Sequence, residues 1–378
     1  MARLARRLVP PLAAACAALA VPAAAAAATT DADVQRGLQR LVSSPGGPPG
    51  AVATLYRDGR LTVLSAGRAN VNRHGPPSAT ASMRIASVSK AFSAAVALQL
   101  VQRGALSLDD TIGQRLPSLP QAWAPVTVRQ MLSHTSGLPD YTTSPGFADQ
   151  ARTDPRGYVP PAGIIDWVRD RPLEFPPGSR YAYSNTDNVV VALMAEAVTG
   201  RPYRELLQEL VFGPAGLTRT SFPERRISLP RPMIRGYVVE RGSPPEDVTT
   251  FLSPSGAWAS GAIVSTPADL ARFMRANLAG RFFGPQQRAE QMRFVPGASS
   301  PPGPGRNEAG LGLFRYTTRC GVVYGHTGDF PGYVQWAAAT ADGRRSVTTT
   351  LNIPAPTGRL LARLRAVQAR AVCALLGR

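Results

Sequence analysis

Strand-like sequence stands at both ends of the chain and helix-like sequence between them, and that order restricts how a sheet can close. Residues 51–56 and 61–66 are β-like runs joined by Arg57-Asp58-Gly59-Arg60, and Asp-Gly between such runs signals a hairpin. Strand character returns at 310–316, 321–325, 333–339 and 346–351. The middle is helical and punctuated by Pro and Gly, with helices expected over 87–103, 126–132, 162–169, 186–199, 203–211 and 267–278. Residues 31–42 predict a short helix with Val34, Leu38 and Leu41 on one face. The last helix sets Leu361, Leu364, Val367, Ala371 and Leu375 on one face and several arginines off it. The Pro-Gly-rich stretch 296–309 reads as a loop. The simplest closure is an α+β fold: one antiparallel sheet made by both ends, flanked by the terminal helices, with a helical insertion between.

The 378 residues are 44% hydrophobic, enough for a sizeable core, which excludes wholesale disorder and a collagen-like chain. The formal charge of +18 raises a nucleic-acid reading, but the arginines are scattered and no basic stripe is interleaved with aromatics. Arg3, Arg6 and Arg7, an apolar stretch over 8–20 and a poly-alanine run ending at Ala28 read as a secretory signal spanning 1–28. That segment is too short and too interrupted by proline for a membrane anchor, so the expectation is a secreted, wall-facing protein with no anchor after cleavage. Losing those three arginines takes the charge to +15, which attracts anionic polymers. Cys320 and Cys373 then remain, and in an oxidising compartment an even pair suggests one disulfide. The histidines His74, His134 and His326 stand far apart and no cysteine has ligand spacing, so no metal and no cofactor is expected.

Among 42 basic residues there is one lysine, Lys90, in Ser87-Val88-Ser89-Lys90. Ser and Lys three apart on a helix share a face. A serine at a helix N-terminus feels the positive end of the dipole, with free N–H groups nearby. That suits acyl transfer, in which the hydroxyl attacks, a neutral amine takes its proton and backbone N–H groups hold the oxyanion. Arginine cannot serve, because it does not deprotonate; lysine can, if burial lowers its pKa by roughly three units. Most matches to such a tetrapeptide are a capping Ser with an exposed Lys.

Two further stretches add partners. In Tyr183-Ser184-Asn185 the phenol and amide project to one side of an extended segment, where one can relay a proton and the other bind a carbonyl. In Tyr324-Gly325-His326-Thr327-Gly328-Asp329, glycine-flanked polar residues would let a substrate backbone lie along a strand edge. The bland alternatives are helix capping and an ordinary turn.

The ordered set SxxK, YxN and HTG resembles the penicillin-recognising serine hydrolases, which include class C-like β-lactamases, D-alanyl-D-alanine carboxypeptidases, esterases and D-aminopeptidases. The stretches 131–138, 174–178, 257–261 and 265–270 extend the resemblance over most of the mature chain. Histidine in the third motif, the Cys320 and Cys373 pair and the Tyr183-Ser184-Asn185-Thr186 context are similar to the secreted actinobacterial D-Ala-D-Ala carboxypeptidase/transpeptidase branch. The resemblance implies a β-lactamase/transpeptidase-like fold, a five-stranded antiparallel sheet flanked by helices plus an all-helical lobe. The sheet domain would take residues 29–90 and 251–378, the helical domain 91–250, with the active site at their interface.

It also implies roles. Ser87 is the acylated nucleophile, Lys90 its general base, and Tyr183 the relay to and from the leaving group. Asn185 binds the acyl-side amide, and the backbone N–H groups of Ser87 and Asp329 form the oxyanion hole. His326 and Thr327 line the carboxylate end, Trp258 walls the cleft, and Arg315 or Arg319 meets the substrate's carboxylate. His134, Asp140 and His74 are read as structural. The activity implied is penicillin-binding D-Ala-D-Ala carboxypeptidase on peptidoglycan stem peptides, with β-lactams as acylating inhibitors. Asp329 departs from the carboxypeptidases, which tend to have a small hydroxyl residue there. Its carboxylate would repel the substrate's own unless paired or turned away, which keeps β-lactamase, esterase and D-aminopeptidase activity on other small acyl substrates open. A silent ligand-binding protein of this fold would usually have lost Ser87, Lys90 or Tyr183.

Overall fold

The structure, a computed structural model, describes residues 28–240 and 242–378. The expected secretory signal therefore lies outside the described residues apart from Ala28. The helix Asp31–Val42 begins at a reciprocal cap: Thr30 Oγ1 accepts from Asp33 N, and the Asp33 carboxylate accepts from Thr30 N. The chain then makes the hairpin β1 (Gly50–Arg57) and β2 (Arg60–Gly67), turning through Asp58-Gly59 with both residues at positive φ, as this hairpin type requires.

Ten shorter or later strands follow in chain order. They are β3 (Met83–Arg84), β4 (Tyr237–Val238), β5 (Glu246–Asp247), β6 (Val264–Ser265) and β7 (Val295–Pro296). Then come β8 (Arg306–Ala309), β9 (Phe314–Thr318), β10 (Gly321–Phe330), β11 (Tyr333–Ala339) and β12 (Ser346–Leu351). The main sheet runs β2-β1-β12-β11-β10-β9-β8-β7, antiparallel throughout, so the two chain ends meet at the β1–β12 pair. Two-stranded ribbons β3–β6 and β4–β5 stand apart from it.

The α+β architecture is the expected one, but the sheet has eight strands, not five. Part of the expected loop 296–309 is strand. Arg306-Asn307-Glu308-Ala309 has no aromatic or β-branched residue and no alternation, so pairing imposes its conformation: Glu308 stands opposite Arg315 on β9 and the two form an ion pair.

The sheet separates two cores. Along β1, Ala51, Ala53 and Leu55 face the helices Asp31–Val42 and Gly358–Leu376, while Val52 faces the opposite core. All of β11 is buried. In the second core the helix Ser89–Gln102 is buried nearly all round, which is why its sequence carries no polar face. Cys320, in the β9–β10 turn, is bonded to Cys373 on the terminal helix, with Cα atoms 5.1 Å apart. No helix among the described residues is long and apolar enough to cross a membrane. No group of three or more His, Cys, Asp or Glu side chains among them could hold a metal ion.

Candidate active site

The chain leaves β3, passes Ile85, and enters the helix Ser89–Gln102 through a 3-10 turn at Ala86–Val88. Ala86 holds φ 50°, a left-handed conformation costly for a residue with a Cβ. The turn is pressed against β10: a Cβ on Gly328 would stand 2.4 Å from the Ile85 carbonyl oxygen and 3.0 Å from the Ser87 nitrogen. Only glycine permits that approach without a shift.

The ladder also aims the backbone of β10. Phe330 and Tyr333 close the two-residue β10–β11 turn, and Gly321 and Thr318 close the β9–β10 turn. Both phases direct the odd-numbered N–H groups of β10 away from β11. β9 pairs with β10 only as far as Gly325, so the Asp329 N–H points to a free edge, where the Ser87 turn sits.

Lys90 is fully buried. Its Nζ donates to Ser87 Oγ at 3.0 Å, Asn185 Oδ1 at 2.7 Å and the Ser260 carbonyl at 2.9 Å. Burial lowers its pKa to about 7, opposed by the negative charges of Asp140 and Asp187. The ring of Tyr183 lies 5.1 Å from Nζ. Burial holds this phenol well above its ordinary value, with the Ser87 hydroxyl pulling more weakly the other way, and its Oη makes no hydrogen bond of good geometry. The site thus holds an amine that gives up its proton near neutrality beside a phenol that keeps its own.

Asn185 is held from both sides. Its Oδ1 accepts from Lys90, and its Nδ2 donates to Asp140 Oδ2 at 3.0 Å and Oδ1 at 3.2 Å. Asp140, read from sequence as structural, therefore orients the amide. His134 Nδ1 pairs with Asp187 Oδ2 at 2.8 Å, and its ring packs on Tyr183 at 4.4 Å between centroids. Burial first, then the Lys90 charge, lowers its pKa to about 3, so it stays neutral and supports Tyr183 from behind.

A cavity of about 280 Å³ opens at Ser87. Tyr183, Asn185, Asp329 and Phe330 reach it; Lys90 lies beneath. Five residues expected as substrate contacts do not reach it. His326 is fully buried with its ring 5.0 Å from Phe314, and Thr327 donates to the Pro301 carbonyl at 2.7 Å. Trp258 is buried against Tyr203 and Phe222, and Ala257, Ser260 and Gly261 take its place on the wall. Arg315 on β9 is held bidentate by Glu308 on β8, and Arg319 sits exposed at the β9–β10 turn. His74 is also exposed and lies away from this cavity.

The wall is instead aromatic: Tyr141, Phe147 and Trp167, mutually 5.6 to 6.0 Å apart, with Phe330 also lining it. Nothing in the sequence separates these from core aromatics; only the fold shows which rings border empty space. The Asp329 carboxylate is paired, accepting from Ala355 N at 2.7 Å. Among the described residues, no arginine, lysine or histidine side chain lines the cavity.

A serine backed by a buried lysine, a protonated tyrosine and an edge-strand N–H is the apparatus of an acyl-transferring serine hydrolase. The beta-lactamase family profile matches residues 25–371, and the chain belongs to that family. It is 28% identical over 298 residues to penicillin-binding protein 4* of Bacillus subtilis, covering 75% of this chain and 63% of that one. A D-stereospecific amidohydrolase from Streptomyces sp. superposes with a TM-score of 0.75 at 32% identity, covering 85% of this chain and 94% of that one. The D-amino acid amidase of Ochrobactrum anthropi SV3 in its complex with L-phenylalanine amide gives a TM-score of 0.77 at 26% identity, covering 91% and 97%. The chain spans about three-fifths of the length of the curated penicillin-binding relatives it matches.

Proposed function

We propose that this protein is a secreted amidohydrolase that opens amide bonds on the carbonyl side of D-amino acids with apolar side chains, through a Ser87 acyl-enzyme. The observation that carries this reading is the cavity beside Ser87, walled by Tyr141, Phe147, Trp167 and Phe330 and lined by no cationic side chain among the described residues. A substrate ending in a free carboxylate, such as D-Ala-D-Ala, would lose its water there with no cation to replace it. An apolar side chain on a neutral amide loses nothing by entering. The named similarity to a D-stereospecific amidohydrolase and a D-amino acid amidase supports the D configuration and the amide.

Neutral Lys90 takes the Ser87 Oγ proton as that oxygen bonds to the substrate carbonyl carbon. The carbonyl oxygen takes the negative charge, facing the N–H groups of Ser87 and Asp329. Tyr183 gives its proton to the leaving nitrogen as the C–N bond breaks, and Lys90 returns a proton to Tyr183. Water then enters by the same path in reverse and releases the acid. Asn185, clamped by Asp140, presents its amide to the acyl chain.

The test compares kcat/KM on D-phenylalanine amide, L-phenylalanine amide and an acetylated peptide ending in D-Ala-D-Ala. Preference for the first supports the reading; faster release of D-alanine from the third replaces it with the carboxypeptidase. Incubation with a penicillin, followed by intact mass, should give an adduct that Ser87→Ala abolishes. Persistence of the adduct in that variant would remove Ser87 from its role.

A further inference from the structure

On the face of the sheet opposite the cavity, the helices Asp31–Val42 and Gly358–Leu376 pack side by side. Gly37 sets their closeness, since a Cβ there would meet Val367 at 2.8 Å. Beyond that contact the helices part into a groove of about 390 Å³, lined by Leu41, Val367, Arg40, Arg363 and Arg370 among others. Arg363 donates to Ser44 Oγ, and none of the three pairs with a carboxylate among the described residues. Residues 358–378 carry five arginines and no acid. The acids of the first helix, Asp31 and Asp33, pair with Arg57 and Arg36, so the charge left over on this face is positive.

We propose that this groove binds a linear, non-aromatic phosphate polymer, tethering the enzyme to it with the cavity left open. Three arginines from two helices line this one groove, and a guanidinium can hold a phosphate through paired N–H bonds. A membrane is disfavoured because the exposed large hydrophobic residues Val63, Tyr158 and Phe251 all lie off these helices. A nucleic acid is disfavoured because no aromatic side chain lines the groove for a base to stack on.

The test titrates linear polyphosphate against the protein by fluorescence anisotropy at several salt concentrations. The comparison is a triple Arg40→Gln/Arg363→Gln/Arg370→Gln variant and a control triple, Arg60→Gln/Arg73→Gln/Arg281→Gln, that removes equal charge from exposed sites elsewhere. The groove triple should weaken binding at least ~10-fold at low salt and flatten the log–log salt slope by about two. The control triple should do neither, and D-phenylalanine amide turnover should be unchanged in both. Equal losses in the two triples, or no binding by the parent protein, overturn the proposal. Tighter binding to oligothymidylate or to phosphatidylglycerol vesicles than to polyphosphate overturns it in favour of those partners. These outcomes do not depend on which amide the cavity hydrolyses.

Discussion

Lys90 shows how much of the chemistry rests on a single residue's surroundings. Its three hydrogen bonds go to a hydroxyl, an amide oxygen and a carbonyl, none of them a carboxylate. Desolvation therefore dominates and the amine is held near neutrality rather than near its ordinary value of 10.5. The acylation rate should rise with pH through about 7 and then level, because the free amine is the form that accepts the Ser87 proton. His134 and His326, both held down to about 3, contribute nothing to that limb. Stopped-flow acylation across pH 5 to 9 checks it, and a rate flat through pH 7 would count against Lys90 as the base. Lys90→Arg fixes a positive charge at this position and removes the base, so kcat/KM should fall by about 10²–10⁴. A melting curve run beside it separates lost chemistry from lost fold.

The element that decides whether the site exists is β10. Its first half is an interior strand between β9 and β11, and its second half has β11 on one side and the Ser87 turn on the other. Gly328→Ala puts a methyl against the Ile85 carbonyl, which is backbone and cannot rotate away. The strand and turn must part, and the Asp329 N–H leaves the oxyanion. We expect kcat to fall by about 10²–10³ with a stability loss of only about 1–3 kcal/mol. Turnover together with urea midpoints would show it; a variant as active as the parent would take Asp329 out of the oxyanion hole. Elements of this kind differ in legibility. The helices Asp31–Val42 and Thr186–Thr199 and the strands β11 and β12 match their sequence limits, because caps and apolar runs are local signals. β7 and β8 do not, because their only reason to be strands is a neighbour elsewhere in the chain.

At the scale of the whole molecule, the Cys320–Cys373 bond ties the β9–β10 turn to the last helix across 53 residues of sequence. Cys320→Ala/Cys373→Ala should cost about 2–4 kcal/mol through the unfolded chain's regained freedom, measurable by denaturant unfolding. Turnover should stay within roughly twofold, since effects at separated sites add independently. A loss of activity at full stability would mean that the bond positions β10. The sequence by itself determined that a serine and a lysine share the first turn of a helix, that a tyrosine and an asparagine precede another, and that both chain ends build one sheet. Those are consequences of helix and strand periods, which act over a few residues. Tertiary structure alone decided that Asp140 grips Asn185, that Trp258 turns into the core while Tyr141, Phe147 and Trp167 face the cavity, and that Arg315 is spent on Glu308. Burial, pKa and the direction of a ring depend on what the rest of the chain places alongside, and no local pattern carries that.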